Sequence, residues 1–301
     1  MSSMSRFELF DNLGYSQDPF KACALFETGD MVRAKRILAL AVNSHAMVCI
    51  VGVRGIGKSL TVAAALNKIG VRKITLHRSE KERCTIADIE RAIILDLCEE
   101  APRGGGETRT RQVRRIVGEA SSCRDKRPIV VVIEEAQRLH SNTLKSLKTL
   151  REIEWAGNRE LFSVVLISQS DPMNRAGVSE VRLRTDSVWM QGITTDEAAG
   201  YVKATIGEHF EESAITALSE LPQARNWLEL QALCLELLNY TLAAGRQLVT
   251  DDDVSVVSKV PTAAKLPKVQ KRMQLVDKSN ATIKDALASV IASRTLEGVA
   301  A

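Results

Sequence analysis

At 301 residues, 45% hydrophobic and 26% charged with a formal net charge of +4, the chain has the composition of a globular protein with one large domain or two of ordinary size. The opening MSSMSRFELFDNLG lacks the basic-then-apolar pattern of a secretory leader, and no apolar run approaches the ~18–20 residues needed to cross a bilayer, so no membrane partner is expected. Cys23, Cys49, Cys84, Cys98, Cys123 and Cys234 follow neither CxxC nor metal-ligand spacing, which points to reduced thiols in a cytoplasmic protein.

The first clear element is an apolar strand at 47–51. It leads into Gly52, Val53, Arg54, Gly55, Ile56, Gly57, Lys58 and Ser59, followed by Leu60 and an alanine-rich helical run. This is the GxxxxGK[ST] pattern in its required setting, with a strand before and a helix after. Glycines let the backbone wrap a phosphate chain, and the helix N-terminus adds partial positive charge. Lys58 would reach the β- and γ-phosphates of ATP, and Ser59 would ligate Mg²⁺. The alternative is an ordinary glycine-rich turn.

A second strand ends before LHRSEKERC, residues 76–84, which carries Arg78, Lys81 and Arg83. APRGGGETR, residues 101–109, is the clearest flexible segment, and RTRQVRR, residues 109–115, continues as a helix with Arg111, Arg114 and Arg115. Neither basic segment holds an aromatic side chain to stack on bases, so contact with duplex phosphates fits better than single-strand binding. Each segment reads equally well as a solvated face.

RPIVVVIEEAQRLH, residues 127–140, places five β-branched residues directly before Glu134 and Glu135. Two carboxylates at the end of a buried strand need a cation or a polar partner. A phosphate-binding loop requires such a group on a neighbouring strand: Glu134 would sit near Mg²⁺ and Glu135 would orient the attacking water. The next strand, in LFSVVLISQSDP at 161–172, closes on Ser168 and Gln169, either of which would hydrogen-bond the γ-phosphate or that water. Arg182 and Arg184 come just before a short strand expected at 187–191. Thr194 with Glu197 makes a capping box, after which the periodicity is helical to residue 257. Alternating strands and helices followed by helices alone predict an α/β parallel sheet and a small all-helical lid. The tail 261–301 holds seven basic against three acidic side chains, which is the whole net charge of the chain, and its second half has an apolar helical stripe. Docking on the protein's own body, on a neighbour or on another protein would each use that stripe.

With these pieces in order, residues 7–258 resemble an AAA+ ATPase. The similarity is greatest to the branch that holds ExeA-like secretion ATPases and the target-selection proteins of transposable elements, including the B subunit of Mu-like phage transposases. LFDNLGYSQDPF, through Leu13, Gly14, Pro19 and Phe20, carries the branch-specific part. The resemblance implies a lead-in at 1–45 beside the adenine, with Phe20 enclosing the base, an AAA+ P-loop sheet sandwiched by helices at 46–192, a lid at 193–260 and a basic helical tail at 261–301. It makes Lys58 and Ser59 the phosphate and metal ligands, Glu134 and Glu135 the acidic strand end, and Ser168 and Gln169 the sensor. It makes Arg184, or else Arg182, an arginine acting on a neighbouring subunit's nucleotide, and Arg225 a lid arginine facing the phosphates. The first acidic position is usually aspartate in the family. Glutamate is one methylene longer, which an octahedral Mg²⁺ shell accommodates only by folding back or displacing water.

The implied function is an ATP-dependent, double-stranded-DNA-binding regulator of transposition, which assembles with itself as a helical filament or ring and recruits or activates a transposase in a bacterial or phage-infected cell. Two alternatives stand beside it. One is a nucleotide-gated scaffold with little hydrolysis and no DNA; the other is an ExeA-like ATPase of another pathway.

Overall fold

The computed structural model describes residues 4–22, 26–76, 84–123 and 127–259. Arg78, Lys81, Arg83 and the tail 261–301 lie outside the described residues. By internal packing the chain divides at residue 257, and the fold below is that of the unit before it.

Helices α1 (Arg6–Asn12), α2 (Pro19–Ala22) and α3 (Gly29–Asn43) precede strand β1 (Met47–Val51). Then come α4 (Lys58–Ile69), β2 (Arg72–Thr75), α5 (Ile86–Leu97), α6 (Gly106–Ser122) and β3 (Ile129–Ile133). Helix α7 (Ser141–Arg151), a hairpin of β4 (Glu154–Trp155) and β5 (Asn158–Arg159), β6 (Ser163–Ser168), α8 (Ser179–Arg182) and β7 (Thr185–Trp189) complete the sheet region. Four helices follow: α9 (Thr195–Ile206), α10 (Glu212–Ser219), α11 (Trp227–Ala243) and α12 (Asp251–Lys259).

The main sheet has the order β2-β3-β6-β1-β7, and every pair in it is parallel. Strands β1, β3 and β6 are buried along their whole length, which is why they read as continuous apolar runs rather than alternating ones. Burying each branched side chain there is worth roughly 1.5–3 kcal/mol. One face of the sheet packs on α5, α6 and α7. The other face packs on α3 and α4 through Met31, Leu38, Val62 and Leu66. The helices after β7 form a separate core with Leu9, Phe10 and Phe20 from the N-terminal lead-in. The sheet is therefore sandwiched by helices and followed by a helical lid, the architecture expected from the sequence.

Two local expectations are corrected, and one element is new. The last strand is Thr185–Trp189, two residues before the span 187–191, because Thr185 pairs with Met47 as soon as α8 ends. The segment 101–109 is tied down rather than loose. Helix α6 starts at Gly106, and the buried Arg109 guanidinium bonds the buried Glu90 carboxylate at 2.7 Å. The β4–β5 hairpin was not expected; its turn uses Ala156 and Gly157, both at positive φ. Among the described residues no helix is long and apolar enough to cross a membrane.

Candidate functional site

The C-terminal ends of β1, β3 and β6 converge on one edge of the sheet, the position where open parallel sheets hold ligands. The turn after β1 is Gly52–Gly57, with Gly55 at φ 87° and Gly57 at φ 91°, a region that favours glycine. Helix α4 then begins at Lys58 with no side-chain cap. Among the described residues no backbone carbonyl accepts from the N–H groups of Gly55 to Leu60. Six donors aimed from a loop and a helix N-terminus make a ready site for an anion.

Two cavities share this loop. A polar one of about 200 Å³ is lined by Arg54, Gly55, Gly57, Lys58, Ser59 and Leu60 on one side and by Glu134, Glu135, Ile167, Ser168 and Gln169 on the other. The Lys58 ammonium is buried and donates to the carbonyls of Gly52 at 2.7 Å and Val53 at 2.8 Å. Burial pulls its pKa below the usual lysine range, and the charge of Glu135 opposes that shift. Ser59 and Glu134 are exposed in this cavity. Among the described residues no cluster of three or more His, Cys, Asp or Glu side chains is placed to hold a metal. A serine hydroxyl and a carboxylate at a polar cavity would suit Mg²⁺, which takes one or two protein oxygens and completes its shell with phosphate oxygens and water.

Glu135 occupies the left-handed region at φ 52° and ψ 40°, uncommon for a side chain of that size. Its Oε2 accepts from Gln137 Nε2 at 2.5 Å and from Gln169 Nε2 at 3.1 Å. The Gln137 side-chain oxygen Oε1 in turn accepts from the Ser168 hydroxyl and the Gln169 N–H, both at 3.1 Å. The acidic strand end and the β6 strand end are thus joined through Gln137. Its only trace in the sequence is a position two residues past the acidic pair.

The second cavity, about 510 Å³, is lined by Phe20, Phe26, Tyr201, Trp227 and Gln231 and by Gly55, Gly57 and Leu60 of the loop. Tyr201 sits between Phe20, with ring centroids 6.2 Å apart and nearly parallel, and Trp227, edge-on at 4.7 Å. Phe20 is fixed from behind: its N–H donates to Asp18, which pairs with Arg6 at 2.8 Å, and the Arg6 guanidinium lies 5.7 Å from the Phe20 ring centroid. The chain has six Phe, three Tyr and three Trp, so four of them at one cavity is a concentration. Of those four, the sequence reading singled out Phe20 alone.

The remaining candidates lie elsewhere. Arg225, expected to face the phosphates, is exposed and lines neither cavity; its neighbour Asn226 takes that place against the loop. Arg184 lies at the start of β7, the opposite end of the sheet from the loop, and bonds Glu152. Arg182 is exposed at the end of α8. Arg111 pairs with Glu107, Arg115 with Glu100 and Glu119, and Arg114 donates to the Glu154 carbonyl.

Residues 42–173 match a family model described as an AAA domain. The fold is the AAA+ P-loop fold. Cdc6p from Pyrobaculum aerophilum superposes with a TM-score of 0.59 at 13% identity, over 84% of this chain and 73% of that one. Drosophila ORC bound to DNA superposes with a TM-score of 0.55 at 14% identity, over 80% of this chain and 62% of that one. This chain thus spans under two thirds of the second neighbour. Comparison with curated proteins gave no match.

Proposed function

We propose that this chain binds ATP with Mg²⁺ and hydrolyses it slowly. ATP-bound copies assemble on duplex DNA to select a target for a transposase. The observation that carries the nucleotide part is the pair of cavities joined at Gly55, Gly57 and Leu60. An aromatic cavity suits a base, and the adjoining cavity supplies Lys58, unpaired N–H groups and two carboxylates for a phosphate chain and its metal. Bound Mg²⁺ would neutralise phosphate charge. Glu135, held by two amide donors, would orient water and accept its proton. Lys58 would exchange its loop carbonyls for phosphate oxygens.

Arg184 lies at the end of the sheet opposite the protein's own loop, which supports action on a nucleotide held by another copy. Hydrolysis would then depend on assembly. The DNA part draws on the resemblance of the N-terminal lead-in to the target-selection branch and on a fold neighbour solved on DNA. One observation favours the rival scaffold reading without DNA: Arg111 and Arg115 are already neutralised by carboxylates.

The test is DNA retention by the full chain with ATP, with ADP and without nucleotide, at two salt concentrations. Non-specific contacts by one protein are weak, ~10⁻⁴–10⁻⁶ M, so assembly should raise affinity by avidity and make it steeply salt-dependent. Retention with ATP alone supports the reading. Equal retention in all three conditions contradicts ATP gating, and none in any condition leaves the scaffold. Arg184→Ala should lose both assembly and retention.

A further inference from the structure

Helix α11 begins with Asn226 as its N-cap, and that side chain uses both ends. Its Oδ1 accepts from the N–H groups of Leu228 at 3.0 Å and Glu229 at 3.4 Å, capping the helix. Its Nδ2 donates to the carbonyl of Arg54, in the phosphate-binding loop, at 2.6 Å. The two sets of partners fix which end of the amide is which, since N–H groups require an oxygen and a carbonyl requires a donor. Asn226 is buried at 8% exposure.

The approach is close enough to explain a glycine. A Cβ at Gly55 would lie 2.3 Å from Asn226 Oδ1, so a side chain there would displace the Asn226 amide from its contact with the loop. The flanking residues add to the contact. The Arg225 carbonyl accepts from Ile193 N–H at 3.0 Å, and a Cβ at Gly192, which has φ 115°, would meet that same oxygen at 2.5 Å. Trp227 lines the aromatic cavity, and its Nε1 lies 3.3 Å from a Cβ built at Gly57. Three consecutive residues, 225–227, therefore hold the lid against Gly192 and Ile193, the loop and the aromatic cavity.

From these contacts we propose that Asn226 is a positioning residue that latches the lid to the phosphate-binding loop and thereby sets how long a nucleotide stays bound. Holding the Arg54 carbonyl outward keeps the loop's donors turned toward the phosphates. Holding α11 in place keeps Trp227 against the base. The retention half of this rests on the nucleotide reading above; the latch itself does not.

Asn226→Asp separates the latch from the cap. Aspartate caps a helix as well as asparagine does, yet it has no N–H for the Arg54 carbonyl and sets a carboxylate against it. The full chain is compared as wild type, Asn226→Asp and Asn226→Ala, by amide hydrogen exchange without nucleotide and by release of a fluorescent adenine nucleotide with Mg²⁺. In Asn226→Asp, exchange should quicken at Gly52 and Thr61, the bonded amides at the two ends of the loop, while the first turn of α11 keeps its protection. Nucleotide should leave about 10-fold faster, the loss expected for one buried hydrogen bond with its partner left unpaired. Asn226→Ala should lose protection in both segments. Wild-type loop exchange in Asn226→Asp overturns the latch, and wild-type release overturns its control of retention. A wild-type chain that binds no nucleotide overturns retention and the nucleotide reading together, while loop exchange still decides the latch.

Discussion

Gln137 Nε2 donates to Glu135 Oε2 at 2.5 Å, so the carboxylate beside the loop is held by a residue on its own strand end rather than left to solvent. Gln169 from β6 donates to the same oxygen at 3.1 Å. The left-handed backbone at Glu135 aims its side chain into this pair, a local cost of order 1–3 kcal/mol of the kind found at functional sites. Removing the carboxylate by Glu135→Gln should therefore leave nucleotide binding near wild type. It should lower turnover by about 10²–10⁴-fold, the usual contribution of a positioned general base. Single-turnover hydrolysis beside equilibrium binding checks this; unchanged hydrolysis removes Glu135 from the reaction.

Gln137→Ala tests the clamp itself. Glu135 would keep Gln169 but lose its shorter bond, and the Ser168 hydroxyl would lose its bond to Gln137. The expected outcome is a fall in kcat of about 10-fold, comparable to the loss of an outer-shell partner at a metal site. KM should stay within about twofold, because nothing that touches the base or Lys58 has changed. A change in KM alone would mean that Gln137 serves binding.

Much of the fold was legible because it rests on local signals. Ile129–Ile133 is one unbroken β-branched run and became a fully buried strand; Thr194 and Glu197 spelled a capping box and formed one. What escaped was set by partners distant in sequence. Arg109 is ordered by Glu90, nineteen residues earlier, so a glycine-rich stretch that looked loose leads directly into a helix. The β4–β5 turn, Ala156-Gly157, lacks the Asn-Gly or Asp-Gly pair that announces a hairpin. At the site, the loop, the acidic end of β3 and the polar end of β6 were readable from spacing, whereas Tyr201, Trp227 and Gln231 reach the aromatic cavity only through the folded lid. Asn226 did carry a signal, an asparagine just before an apolar helical run.

Glu197 ties the lid to the sheet side: its carboxylate accepts from the N–H of Gly29 at 2.6 Å and of Thr194 at 2.9 Å. Burial pushes its pKa up, but those hydrogen bonds outweigh burial and hold it below the usual glutamate value. A lowered folded pKa means that the stabilisation is present above the unfolded value, about 4.3, and is lost as pH falls through the folded one. Urea unfolding at neutral pH and near pH 3.5 should show Glu197→Gln less stable than wild type at the higher pH, with the difference shrinking at the lower.

Gly118 on α6 faces the Trp155 ring of the hairpin, and a Cβ there would lie 2.2 Å from the ring's Cγ and Cδ2. Alanine usually gains up to ~1 kcal/mol over glycine inside a helix. Here overpacking should reverse the sign, at about 1–3 kcal/mol. The melting temperature of Gly118→Ala should therefore fall by about 2–4 °C per kcal/mol of net loss. A rise would mean that the hairpin does not pack on α6.

The most direct test of the account is equilibrium binding of ATP with Mg²⁺ to the wild type and to Lys58→Ala. Among the described residues Lys58 is the one ammonium lining the polar cavity, and a charge-assisted bond to phosphate is worth roughly 1.5–3 kcal/mol. The account predicts that the wild type binds and that Lys58→Ala binds about 10–100-fold more weakly. It also predicts that adding Mg²⁺ strengthens binding to the wild type. Equal affinity in the two proteins, or binding that ignores Mg²⁺, would contradict a nucleotide seated with its phosphates between the loop and Glu134.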